Sequence, residues 1–309
     1  MPEEERLQQV EVPKMAMEKD FMLDGILTLA ALEKAALLYQ KLDTSSPTAT
    51  EAATIAAAAS EYLRAGVERY NSALRSYREE LSSVVSENHL GLYLFSLYAV
   101  AISMFLPRVS PLEGVQRGML EGMKDVIDMM LGATTIANTG CEWLLKGPVL
   151  FRKVLEQEAP SDRLDSGTKA AIKRLHSLNY SAHEGMQEGE EDAVSRHSAC
   201  STVITALQEY YARDLDRSIK FLWIGWLGIC RKPFVEALRR DEPITLLILM
   251  HWAILLERPN ADVWWADKAG VALITELSSA LKETPQASMP TWLESIAWAR
   301  EKVGLSADF

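Results

Sequence analysis

Few of the 309 residues combine a reactive type with an informative spacing, and those that do lie inside apolar stretches. Asp24 and Glu33 stand in one such stretch among Phe21, Ile26, Leu27, Leu29, Leu32 and Leu37. Asn88-His89 opens the uncharged segment LGLYLFSLYAVAISMFL, and His251 interrupts ITLLILMHWAILL. Each is either a hydrogen-bonded interior group or a solvent-facing one; together they would suit an apolar cavity with a few convergent polar contacts. Trp223, Trp226, Trp252, Trp264, Trp265, Trp292 and Trp298 crowd into the last third of the chain. They are either core packing or a wall for a flat polycyclic or polyene ligand. The candidate ligand-binding set is therefore Asp24, Glu33, Asn88, His89, His251, Trp252, Trp264 and Trp265. Asp24 leads it, because a carboxylate flanked by Phe21-Met22-Leu23 and Gly25-Ile26-Leu27 must meet a cation, be protonated, or reach solvent.

Motifs for other chemistries are absent. The glycines lie singly, so no loop is built to cradle a phosphate, and no GxSxG elbow presents a serine nucleophile. Asp125 and Asp128 form a lone i, i+3 pair without the further carboxylate that a Mg²⁺-diphosphate site needs. His183-Glu184 and His197 with Cys200 supply zinc-type ligands at no standard spacing. No metal or cofactor is expected, and no catalytic residue is assigned.

A net charge of −11 without a dense Lys/Arg cluster makes a poor surface for phosphate backbones, so direct nucleic-acid binding is not expected. Three scattered cysteines without a CxxC suit a reducing compartment, and the acidic Glu3-Glu4-Glu5 start is unlike a signal peptide. Both point to an intracellular, cytoplasmic or nuclear setting. Leu90–Leu106 is uncharged but ends at Pro107 and has no basic flank before it, which predicts a buried central helix and no membrane span.

Helix formers dominate, and alternating β-branched runs are nearly absent, so the fold class is all-α: an irregular array of roughly ten to thirteen helices around a hydrophobic pocket. Helices are expected from Asp20 to about Leu42, over about 55–84 and 88–106, from Pro111 to about Leu131, and at Pro148–Glu156. Further ones follow near 168–178, 192–217, 232–240, 243–257, 262–282 and 291–303, with a break at Asn138-Thr139-Gly140. Residues 158–191 read as an acidic, loop-rich insert within one domain spanning 1–309.

Three stretches together resemble the ligand-binding domain of fungal zinc-cluster transcription regulators of the sterol-uptake-control type. Val12–Ala16 with Phe21–Leu32 resembles the opening helix, and Asn88–Pro107 the central apolar one. Asp241–Leu256, Trp264-Trp265 and the segment from Ile296 to Leu305 resemble the closing helices. The resemblance implies an all-helical fold around a pocket that accepts a sterol. Two departures limit it: the family's six-cysteine zinc cluster has no counterpart here, and Asp24 and Glu33 stand where its opening helix usually has histidines.

Two functions follow. In one, the chain is a stand-alone, cofactor-independent enzyme that folds a flexible isoprenoid-type substrate for cyclisation or isomerisation, a pericyclic, Diels–Alder-like step in secondary metabolism; ordering alone can supply several kcal/mol there. In the other it is the sterol- or lipid-sensing domain of a transcription regulator. The first is favoured, since no DNA-binding module is seen. A scaffold whose groove holds a partner helix is the third option. The expected partner is a hydrophobic small molecule, and a homodimer is allowed.

Overall fold

The computed structural model describes residues 6–44, 47–109, 118–146, 161–183, 191–214, 222–257 and 263–308. The fold is all-α, with no strand among those residues. The chain groups into two compact units: Met1–Gln116 with Gly132–Glu156, and Arg117–Leu131 with Gln157–Phe309. The helix Met119–Thr139 contributes to both units, residues up to Leu131 to one and from Gly132 to the other.

The first unit opens with a π-helical turn at Leu7–Glu11 and continues through α1 (Val12–Glu18), α2 (Asp20–Thr44), α3 (Ala49–Leu81) and α4 (Ser86–Val109). Its last parts are the second half of α5 (Met119–Thr139) and α6 (Cys141–Lys146). α3 starts at a capping box: the Glu51 amide donates to Thr48 Oγ1 at 3.4 Å, and the Thr48 amide to Glu51 Oε2 at 3.0 Å. Its buried stripe of Ala59, Leu63, Gly66, Tyr70 and Ala73 lies along α2. Close approach depends on Gly66, where a Cβ would come within 2.9 Å of Leu32 Cδ2. At the crossing with α4, a Gly25 Cβ would come equally close to the Phe95 ring. Phe21, Tyr77 and Phe95 form an aromatic triad there, with ring centroids 4.8–5.9 Å apart.

α4 is the uncharged segment of the sequence reading. Among the described residues it alone is long and apolar enough to cross a membrane, yet 61% of its most apolar window is buried inside the fold. It continues past Pro107 to Val109, because a proline near the end removes only one hydrogen bond from a helix about to stop.

The second unit contains the first half of α5, then α7 (Ser166–His183), α8 (Glu191–Asp214), a 3₁₀ segment Leu222–Ile229 and α9 (Lys232–Arg239). α10 (Pro243–Glu257), the 3₁₀ turn Trp264–Ala266, α11 (Ala269–Lys282) and α12 (Pro290–Lys302) complete it. Every residue of α10 from Ile244 to Leu256 is buried, with α8, α9, α11, α12 and α7 packed around it. An apolar helix without a polar face has no other stable place. Gly270 brings α11 against it: a Cβ there would stand 2.6 Å from the Ala253 carbonyl oxygen.

α7 covers the helix expected near 168–178 and extends it at both ends, to Ser166 and His183. Asp165 caps it, accepting from the Thr168 amide at 3.0 Å and its hydroxyl at 2.6 Å, and these bonds hold the Asp165 carboxyl below its ordinary range. Ala171, Ile172, Leu175 and Leu178 then supply a buried face. The expected helix at Pro148–Glu156 and the helix start at Pro111 fall outside the described residues.

Candidate functional site

The eight candidates do not share one unit: Asp24, Glu33, Asn88 and His89 belong to the first, and His251, Trp252, Trp264 and Trp265 to the second.

In the first unit Asp24 and Asn88 are paired, Glu33 is exposed, and His89 has one ring nitrogen paired while its buried Nδ1 has no hydrogen-bond partner among the described residues. Asp24 meets a cation, its Oδ1 lying 2.9 Å from Arg69 Nη1 on the neighbouring helix. Glu33 is exposed. Asn88 accepts from the Val85 amide at 2.9 Å and donates to Glu80 Oε2 at 3.0 Å and to the Ser83 carbonyl at 2.9 Å, pinning the turn that starts α4. Glu80 also receives Lys19 Nζ at 2.8 Å, and Lys19 followed by Asn88 holds its carboxyl low. His89 is buried, with Nε2 2.6 Å from the Ile136 carbonyl oxygen and its ring edge-on to Trp143 at 5.3 Å.

The second unit presents a different picture. Trp226 and Trp252 are fully buried and stacked, with centroids 5.8 Å apart and planes 19° from parallel. Trp223 adjoins Trp252 at 5.9 Å and Trp265 at 5.7 Å; Trp264 is half-buried beside it in the chain. Backbone carbonyls satisfy two of the indoles: Trp226 Nε1 donates to Val203 at 2.9 Å, and Trp252 Nε1 to Trp223 at 3.0 Å. The Trp223 Nε1–H is buried without a hydrogen-bond partner among the described residues.

His251 is fully buried on α10. Its Nδ1 lies 2.8 Å from the Leu247 carbonyl oxygen one turn earlier, and its ring stacks on Trp298 at 5.2 Å with 19° between planes. Its own carbonyl accepts the Tyr211 hydroxyl at 2.6 Å. Burial above all, helped by the Arg174 charge and opposed by the Leu247 bond, pushes the imidazole down to about 4, so the ring is neutral at physiological pH. Its Nε2 has no hydrogen-bond partner among the described residues. Trp298 was visible as one tryptophan of many, but nothing in the sequence pairs it, or Tyr211, with His251.

The remaining candidates are poorly placed for catalysis. Burial raises the Cys200 thiol to about 12, and Cys230 is raised further, so neither thiol is a nucleophile at neutral pH. Asp128 is paired with Arg239, and Asp125 lies on the exposed face of α5. The side chain of His183, and Glu184, fall outside the described residues; His197 lies edge-on to Tyr180 at 6.5 Å. No group of three His, Cys, Asp or Glu side chains among the described residues is arranged to hold a metal ion. Compared with known proteins, the chain matches no protein family, no curated protein and no solved structure.

Proposed function

We propose that this chain binds a hydrophobic small molecule of the isoprenoid type, sterol- or terpenoid-like, against the tryptophan-rich interior of its second unit. We propose further that it acts on a flexible substrate by ordering it for cyclisation or isomerisation without a cofactor. The observation that carries the reading is His251: a neutral imidazole with an unpartnered nitrogen, inside a helix whose residues 244–256 are all buried and, apart from His251 and Thr245, apolar. A buried polar atom of this kind needs an explanation, and a ligand's polar group at the edge of an aromatic wall is one.

The low basicity of His251 bears on the type of chemistry. A general base works best with a pKa near the operating pH, and an imidazole held at about 4 is far from it. Proton abstraction is therefore disfavoured, whereas holding a reactive conformer demands no proton transfer. A sensor, which binds its ligand and changes nothing in it, is equally served by such a group.

The test is a tryptophan-fluorescence titration with a panel of sterols and polycyclic terpenoids, followed by incubation with linear polyenes and a search for products of unchanged mass. Quenching with turnover supports the enzyme, and quenching without it the sensor. No response from folded protein to any member of the panel refutes ligand binding and leaves the partner-helix scaffold.

A further inference from the structure

The geometry around His251 narrows the chemistry of the ligand. A carbonyl oxygen only accepts, so the 2.8 Å contact with Leu247 places the ring proton on Nδ1. A neutral imidazole has a single N–H, so Nε2 is left as a bare lone pair: an acceptor, never a donor. The assignment is hard to reverse. Turning the ring over would keep its stack on Trp298 but put a carbon where Nδ1 now meets the Leu247 carbonyl, losing that bond, and the backbone at His251 is itself tied to Tyr211. The nearby cation does not fill the need, since Arg174 directs Nη1 to Glu294 at 2.7 Å and Nε to the Ser295 hydroxyl at 3.3 Å.

Resting on the binding reading above, we infer that the apolar ligand carries a hydroxyl group, and that this hydroxyl donates its hydrogen bond to His251 Nε2. A ketone, aldehyde or hydrocarbon on the same skeleton has no proton to give. Discrimination by a buried group left unpaired is stronger than discrimination by apolar contact alone.

The test uses the full chain and two matched sets of probes: cholesterol, cholest-4-en-3-one and 5α-cholestane, and farnesol, farnesal and farnesene. On whichever skeleton binds, the alcohol is expected to bind about tenfold more tightly than its carbonyl and hydrocarbon partners. His251→Phe is expected to abolish that preference while keeping hydrocarbon binding. A second readout needs no variant. In wild-type protein with ¹⁵N-labelled histidine, the unprotonated Nε2 resonance of His251 should move upfield on saturation with the alcohol and stay in place with the hydrocarbon. Equal affinities across a set, a preference that survives in His251→Phe, or an unmoved Nε2 signal would each overturn the hydroxyl assignment and leave the binding reading standing. If neither skeleton binds in any form, the binding reading falls and this inference with it.

Discussion

Acidification should destabilise this protein through His251, by an amount that follows from its surroundings. An unfolded histidine titrates near 6.5, whereas burial holds His251 at about 4 in the native state. The unfolded chain thus binds the proton more readily. The contribution to stability is complete above pH 6.5 and is lost as pH falls from there through about 4. At 1.36 kcal/mol per pH unit, the gap between the two values amounts to about 3 kcal/mol. Other groups titrate in acid as well: Glu80 and Asp165 lose paired carboxylates, and His176 is also held low by burial. The quantity to measure is therefore the difference between wild type and His251→Gln, in urea unfolding free energy from pH 7.5 to 4.5. That difference should be flat above pH 6.5 and then shrink with a slope approaching about 1.4 kcal/mol per unit below pH 6. A difference independent of pH over the whole range would refute a buried, neutral His251.

Three further expectations concern the frame. Gly140→Ala should cost about 2–4 kcal/mol in chemical unfolding, because a Cβ there would stand 2.4 Å from both His89 Nε2 and the Trp143 ring, threatening the bond to Ile136; an unchanged midpoint would show that the turn can give. Glu276→Ala should cost about 1–2 kcal/mol, since its carboxylate accepts the Met119 and Leu120 amides at 2.7 and 2.8 Å and so caps α5; a melting temperature equal to wild type would mean that water replaces it fully. Asp24→Leu should cost no more than about 1 kcal/mol, because its partner Arg69 is more than half exposed, and should leave ligand titrations unchanged. A loss of binding in folded Asp24→Leu protein would return Asp24 to the site.

The helices were legible because most have strong local signals. α3 carries its buried stripe in plain sequence, although its capping box at Thr48 and Glu51 starts it before the expected 55, and α10 announces its burial by lacking a polar face. What escaped notice was tertiary. The 3₁₀ segment Leu222–Ile229 has no helical periodicity to read, and its burial is set by neighbours that place Trp226 and Trp223 against Trp252. α7 was expected over only 168–178 because its flanks are rich in Gly, Pro and acids and its buried face is only four apolar residues, so the sequence understated its length. Asp24 illustrates the limit for single sites: the physical alternatives for a carboxylate among apolar residues were plain, but choosing among them required knowing that Arg69, 45 residues away, lies alongside.

His89 and His251 share one device with different consequences. Each has one ring nitrogen against a backbone carbonyl and its other ring nitrogen buried without a hydrogen-bond partner among the described residues. For His89 the acceptor is Ile136, 47 residues away, so the bond ties α4 to the end of α5 beside Gly140 and has a tertiary purpose. For His251 the acceptor is Leu247, four residues back on the same helix, and that bond joins no two elements. A leucine would fill similar space in α10 without the desolvation penalty of an unpaired nitrogen, about 1–3 kcal/mol. What the imidazole offers in packing is its stack on Trp298, which leaves Nε2 unsatisfied. On the proposal above, a ligand hydroxyl would satisfy the lone pair that the Leu247 bond leaves open.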